Sequence, residues 1–141
     1  MAFPIRVLVV EDSPFMRNAL ARRIASDSRF EVVDTAENGQ EGVEKALRIK
    51  PDVVTLDVEM PVMNGLEALK QIVSRSSIPV VMLSAVTLAG AKVTMEALEI
   101  GAIDFIPKAQ GAERVHETLL AAANANVKQS AARAKPIRMP P

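Results

Sequence analysis

Three carboxylates, one hydroxyl and one amine follow short apolar runs in this sequence. Glu11 and Asp12 come directly after IRVLVV, and Asp57 follows VVTL. Ser84 ends the run VVMLS, and Lys108 comes directly after IDFIP. Carboxylates clustered without cysteine or histidine are hard oxygen ligands of the kind that Mg²⁺ prefers. A hydroxyl and an amine facing such a metal suit phosphoryl oxygens, so these residue types favour phosphoryl-transfer chemistry.

Asp57 is the candidate nucleophile of this set. A carboxylate can itself take a phosphoryl group and become an aspartyl phosphate. Asp57 leads into VEMPVMNG without an obvious helix to cap, whereas Asp12 stands beside Ser13-Pro14 and taken alone would be a helix cap. Each of these residues has an ordinary structural explanation by itself. Their joint occurrence at corresponding positions favours a site.

The elements that must position these residues are visible as alternating patterns. Short apolar runs alternate with segments of helical period, which is typical of a parallel sheet covered by helices. A doubly wound sheet binds its ligand outside the carboxyl ends of its strands. The sequence therefore predicts an α/β fold with a five-stranded, doubly wound parallel sheet. Strands are expected at 5–10, 31–35, 53–56, 80–83 and 103–106, and helices at about 14–26, 42–49, 65–74, 90–100 and 112–126.

Composition limits the class of protein. A chain of 141 residues fits one domain with a tail, and the absence of cysteine excludes disulfides and thiolate chemistry. Four phenylalanines are the only aromatic residues, which disfavours direct binding of nucleic acid by base stacking. No apolar run approaches the roughly 20 residues of a membrane span, and no export signal is visible. We therefore predict a cytoplasmic protein without a membrane partner.

The charges are distributed unevenly along the chain. Seventeen basic residues balance seventeen acidic ones, but the segment 127–141 carries four basic residues and no acidic one. Residues 1–126 are thus left with 13 basic against 17 acidic residues. The last segment, VKQSAARAKPIRMPP, shows no apolar period and ends in proline. We predict a folded domain at 1–126 and a basic linker or disordered tail at 127–141.

The strand-end residues and the motifs around them resemble those of bacterial response-regulator receiver domains. The motifs are EDSPFMR, DVEMPVMNGLEAL, PVVMLSA and ALEIGAIDFIPK, and the resemblance covers about residues 5–126. DVEMPVMNGLEAL and AVTLAGAKVTMEALEIGAIDFIPK look particularly like the N-terminal receivers of chemotaxis protein-glutamate methylesterases. The resemblance implies the flavodoxin-like receiver fold, with strand order 2-1-3-4-5.

The resemblance also implies a phosphoacceptor and a metal site. Asp57 would accept a phosphoryl group from a histidine kinase of a bacterial two-component, chemotaxis-type phosphorelay. Mg²⁺ would be held by Asp12, by Asp57 and by the backbone carbonyl of Glu59. Glu11 would act through metal-bound water.

A switch and its output surface are implied in the same way. Ser84 and Lys108 would hold the new phosphoryl oxygens, and Phe105 would be the aromatic that alternates between buried and exposed positions. Phe105 also has a simpler explanation as a core residue of the fifth strand. The fourth helix, fifth strand and fifth helix would control an output domain, by this resemblance a protein-glutamate methylesterase. Lys108 departs from the family pattern because Ala109 follows it where proline is usual.

Two alternatives remain open from the sequence. The chain is either the receiver portion of a longer methylesterase or a stand-alone single-domain regulator, since nothing after Asn126 is long enough for a second domain. A Mg²⁺-dependent phosphatase of the haloacid-dehalogenase type also uses an aspartate nucleophile in a similar sheet. That class needs Asp-x-Asp, whereas Glu59 is the second acid here. Whether the chain is an enzyme stays open, because no turnover site is visible beyond self phosphoryl transfer and autodephosphorylation.

Overall fold

The chain folds as five strand-helix units in strict alternation. The computed structural model describes residues 3–60, 62–84, 88–108 and 111–134. In order, the elements are β1 (Ile5–Val10), α1 (Pro14–Ala25), β2 (Phe30–Ala36), α2 (Gly39–Ile49), β3 (Val53–Asp57), α3 (Gly65–Arg75), β4 (Val80–Ser84), α4 (Leu88–Ile100), β5 (Asp104–Pro107) and α5 (Gly111–Ala134).

The five strands form one sheet in which all neighbours are parallel. Their order is β2-β1-β3-β4-β5. The predicted fold class and strand order are therefore confirmed. The central strands β1, β3 and β4 are buried almost throughout, because helices cover both faces of a doubly wound sheet. This explains why their sequences are continuously apolar.

Alternate strand residues supply two separate apolar cores. From β1, Leu8 and Val10 pack on one face of the sheet with buried residues of α2, α3 and α4. Val7 and Val9 pack on the other face with buried residues of α1 and α5. Side chains point to opposite faces because a strand has a period of two residues. The strand ends are thus held between two packed layers of helices.

Local signals in the sequence place several helix ends. Ser13 caps α1 by accepting a hydrogen bond from the Met16 N–H, and Asn64 caps α3 by accepting one from the Glu67 N–H. Lys50 ends α2 in the left-handed conformation just before a proline.

None of the helices in the part of the chain that the structure describes has the length and apolar character of a membrane span.

The start of α2 differs from the prediction. Apolar periodicity placed it at Gly42, whereas the helix begins at Gly39 and Asn38 caps it by accepting from the Glu41 N–H. The first turn reads GQE and carries no apolar side chain, so a search for apolar period does not detect it. The cap residue is the better signal here.

The end of α5 also differs from the prediction. Periodicity placed it at about Asn126, but the helix continues to Ala134. The segment VKQSAARA lacks glycine and proline and is rich in strong helix formers, although it has no apolar stripe. The first part of the segment predicted as a linker or disordered tail is therefore helical, and residues 135–141 lie outside the described part of the chain. A domain boundary at residue 126 stays a prediction.

Candidate functional site

Polar groups from three strands meet at the carboxyl edge of the sheet. Asp57 ends β3, Glu11 and Asp12 follow β1, and Lys108 follows β5. The Lys108 Nζ lies 2.8 Å from Asp57 Oδ1 and 3.9 Å from Glu11 Oε1. The structure thus brings together the three carboxylates and the amine that the sequence singles out.

Asp57 is buried in an environment that disfavours its charge. Its side chain is almost inaccessible, and Oδ2 has no hydrogen-bond partner within the described ranges. Burial raises the pKa of Asp57, and the opposing effect of the Lys108 ammonium does not cancel this increase. A buried carboxylate oxygen without a partner is costly. It can therefore gain a metal ion or a new bond without giving up an existing hydrogen bond.

Glu11 is held in a similar environment. Its exposure is 2%, and Oε2 accepts a hydrogen bond from the Ser13 N–H at 3.1 Å. The pKa of Glu11 is raised from 4.5 to about 7, and burial is the largest cause. The Ser13 hydrogen bond lowers this pKa, whereas the charge of Asp57 raises it further. The fold therefore holds two buried acids close together.

Lys108 supplies the positive charge of the site. Burial lowers its pKa, but the carboxylates of Asp57, Glu11 and Asp12 together raise it above the usual 10.5. The ammonium is consequently charged throughout the neutral range. It compensates part of the negative charge that the three acids carry.

The three carboxylates fit a divalent cation. Glu11, Asp12 and Asp57 each offer one oxygen, and these oxygens all lie within 4.8 Å of one another. Hard oxygen donors of this kind suit Mg²⁺. The unpartnered Oδ2 of Asp57 provides a ligand that such a cation would satisfy. Participation of the Glu59 carbonyl stays a prediction.

A cavity of about 130 Å³ lies against Asp57, the predicted acceptor. The Lys108 N–H donates to the Ser84 carbonyl at 2.8 Å, so the backbone fixes these two residues relative to each other. The cavity combines the predicted acceptor carboxylate with the predicted phosphoryl-binding hydroxyl and amine. It is lined by Asp57, Val58, Glu59, Ser84, Gly90, Val93 and Lys108.

Phe105 lies apart from this cavity. Its side chain is 38% exposed, so its assignment as a core residue of the fifth strand is wrong. It lines a different cavity, of about 200 Å³, together with Arg114 and Thr118 of α5. The structure therefore places the predicted switch aromatic on the β5-α5 surface and away from Asp57.

Sequence reasoning missed two residues that hold the site. The Arg17 Nη1 donates to the Glu11 carbonyl at 3.0 Å and lies 3.4 Å from the Asp12 carbonyl, so it fixes the backbone of the acid pair. Arg17 closes the motif EDSPFMR, which was the only signal for it. Thr94 of α4 lies 2.9 Å from Ser84, Oγ1 to Oγ. Nothing in the sequence marks that contact.

Two backbone hydrogen bonds connect the loop after Asp57 to the starts of α3 and α2. The Gly65 N–H donates to the Val58 carbonyl at 2.8 Å, and the Gly39 N–H at the start of α2 donates to the Met63 carbonyl at 3.1 Å. A Cβ on Gly39 would lie 2.1 Å from that Met63 oxygen. Only glycine allows α2 to approach the loop this closely.

Comparisons with known proteins identify the family of this chain. Residues 7–120 match the model described as the response regulator receiver domain. A protein-glutamate methylesterase/protein-glutamine glutaminase of Vibrio cholerae serotype O1 is 53% identical over 104 residues, 74% of this chain and 28% of the relative. The corresponding protein of Archaeoglobus fulgidus is 56% identical over 108 residues, 77% of this chain and 31% of the relative. The chain thus spans less than a third of the length of these relatives.

Solved structures show the same likeness. The response regulator domain of Thermotoga maritima CheB superposes with a TM-score of 0.79 at 46% identity, covering 85% of this chain and 96% of that one. A chain of the CheX-CheY-BeF3-Mg²⁺ complex from Borrelia burgdorferi gives a TM-score of 0.72 at 32% identity, covering 82% and 90%. The likeness extends over nearly the whole of both domains.

Proposed function

The chain belongs to the response regulator receiver family, and from this premise we propose that it accepts a phosphoryl group on Asp57 from a histidine kinase. One observation carries the proposal. A buried aspartate with an unpartnered oxygen stands 2.8 Å from the Lys108 ammonium and beside two further carboxylates. No other arrangement of side chains in the described ranges combines these groups.

The proposed reaction is a single displacement at phosphorus. An oxygen of Asp57 forms the new O–P bond while the P–N bond to the donor imidazole breaks. The electron pair of that bond stays with the imidazole nitrogen. Lys108 stands where its ammonium can neutralise the charge of the transferred oxygens. The buried position of Asp57 limits access of water to the acyl phosphate.

The carboxylates hold the metal in this proposal. Asp12 and Asp57 would bind Mg²⁺ together with the Glu59 carbonyl, and Glu11 would act through metal-bound water. When bound, Mg²⁺ supplies positive charge against the phosphoryl oxygens. Arg17 keeps the two acids after β1 in place through their carbonyls.

The proposed output passes through α4, β5 and α5. Once the phosphoryl group is present, Ser84 and Lys108 would bind its oxygens. Phe105 would then change between its exposed and buried positions. Met95, Leu98 and Phe105 are exposed apolar side chains on this surface, which suits contact with an output domain. The methylesterase relatives support a methylesterase as that domain, within a chemotaxis pathway. A stand-alone regulator and a cytoplasmic location stay predictions.

Mass spectrometry tests the acceptor directly. Incubation with Mg²⁺ and acetyl phosphate is expected to add one phosphate to the chain. Asp57→Asn should abolish the addition because an amide is a poor nucleophile, and EDTA should prevent it. Asp52→Asn is the matched control, since Asp52 precedes the same strand outside the cavity and accepts a hydrogen bond from the Arg6 N–H. It should label as the unaltered chain does.

Two results would contradict the proposal. Labelling that survives Asp57→Asn would move the acceptor to another residue. Sustained turnover of a generic phosphomonoester would favour the phosphatase alternative.

A further inference from the structure

Ser84 has a polar neighbour that belongs to α4. Its Oγ lies 2.9 Å from Thr94 Oγ1, and the two residues are only 5% and 6% exposed. Two hydroxyls shielded from water in this way bond to each other instead of to solvent. A helix therefore contacts the hydroxyl that is proposed to bind the phosphoryl group.

The single proton of Ser84 limits what its hydroxyl can do at one time. Phosphoryl oxygens only accept hydrogen bonds, so Ser84 must donate its proton to bind them. A threonine inside a helix commonly donates to the carbonyl four residues earlier, which leaves Thr94 Oγ1 to accept from Ser84. Donation to Thr94 and donation to a phosphoryl oxygen then exclude each other.

We propose that Thr94 is a positioning residue that holds the Ser84 hydroxyl while Asp57 is unphosphorylated. Thr94 then competes with the phosphoryl group on Asp57 for the hydrogen bond that Ser84 donates. The inference rests on the proposed function of Asp57. Gly90 and Val93 of the same helix line the cavity against Asp57, so α4 borders the space that the phosphoryl group enters. When Ser84 turns to the phosphoryl group, α4 loses this hydrogen bond at Thr94. The next residue, Met95, is 61% exposed on the proposed output surface.

Binding of beryllofluoride, a phosphoryl analogue, tests the competition. Its dissociation constant is measured by calorimetry on the full chain with Mg²⁺. Thr94→Val removes the competing acceptor and should tighten binding about three- to tenfold, the scale of one neutral hydrogen bond. Thr94→Ser keeps the hydroxyl and should restore the original value. Thr55→Val is the matched control, because the buried Thr55 hydroxyl has no partner in the described part of the chain.

A second background separates competition from a general structural effect. In Ser84→Ala, the change Thr94→Val should leave the dissociation constant unaltered, because the competition requires the serine hydroxyl. Equal changes in both backgrounds, or unchanged or weaker binding in Thr94→Val alone, would overturn the inference. Absence of binding to the unaltered chain would instead overturn the proposed function, and this inference with it.

A measurement on the unaltered chain does not depend on how well Thr94→Val folds. With ¹³C-labelled threonine methyl groups, beryllofluoride and Mg²⁺ should shift the Thr94 resonance relative to Mg²⁺ alone. The same addition should leave that resonance in place in Ser84→Ala. An unmoved Thr94 resonance in the unaltered chain contradicts release.

Discussion

In the metal-free folded protein, burial destabilises the ionised form of Glu11. Its pKa is raised to about 7 by burial, so the folded state binds a proton more tightly than the unfolded state does. This contribution to stability is complete below pH 4.5 and is lost as the pH rises through about 7. Divalent metal would reverse the effect because it stabilises the ionised carboxylate.

We predict that metal-free protein is less stable at pH 8 than at pH 5, by roughly 1–3 kcal/mol. Urea unfolding in EDTA measures the difference, and ¹³C NMR of the Glu11 carboxyl should show a midpoint near 7. Glu11→Gln cannot titrate, so this variant should show a smaller loss of stability. The prediction is wrong if that variant keeps the full pH dependence.

That the residues of the candidate site lie together could be predicted from the sequence, but not all of the contacts that support them. Asp57 and Lys108 follow apolar runs, and parallel strands bring such positions to one edge of the sheet. The contact between Thr94 and Ser84 depends on how α4 packs over β4. Side-chain contacts between a helix and a strand have no fixed spacing in the sequence, so this contact and the Arg17 hydrogen bonds required the structure.

At the scale of elements, α2 contacts both the core and the loop after Asp57. A Cβ at Gly39 would lie 2.1 Å from the backbone oxygen of Met63, whereas a Cβ at Gly42 would lie 2.8 Å from a side-chain atom of Val10. The first change must move the loop or the helix. The second presses on a core side chain, so the two substitutions separate loop position from core packing.

Gly39→Ala is expected to weaken Mg²⁺ binding by about tenfold, the size of effect produced by residues that orient metal ligands. The displaced loop carries Glu59, whose carbonyl is a predicted ligand. Calorimetric titration with Mg²⁺ measures the affinity.

Gly42→Ala provides the control for this prediction. It should lower the free energy of unfolding by about 1–3 kcal/mol through overpacking and leave Mg²⁺ affinity unchanged. Equal losses of affinity in both variants would show that core packing, and not the loop, controls the metal site.

The central strands could be predicted because they are apolar on both faces and so form continuous apolar runs. Helix boundaries could be predicted where the sequence carries both an apolar pattern and a cap. The first turn of α2 and the last turns of α5 lack an apolar stripe, so periodicity ends before the helix does. Helix propensity and capping residues are the sequence signals for those ends.

At the scale of the whole molecule, α5 joins the last segment of the chain to the core. Val115, Leu119, Ala122 and Ala123 pack into the core that α5 shares with α1. Of the described side chains of α5, none beyond Ala123 is buried. The buried side chains of α5 that the structure describes thus all lie before the predicted domain boundary at residue 126.

We predict that a chain shortened to residues 1–126 keeps its free energy of unfolding within about 0.5 kcal/mol. Leu119→Ala, by contrast, should cost about 2–5 kcal/mol because it leaves a cavity under α5. Urea unfolding compares the two proteins. A loss on shortening as large as that of Leu119→Ala would place the boundary later in the chain.

The order of the strands along the chain also determines when the site can form during synthesis. Glu11 and Asp12 leave the ribosome first, Asp57 follows, and Lys108 comes last because it lies after β5. A nascent chain that ends before β5 contains three acids and lacks the ammonium that lies 2.8 Å from Asp57 in the finished fold. The candidate site is therefore complete only when translation has passed residue 108, and a shorter chain lacks one of the groups that the proposed phosphoryl transfer requires.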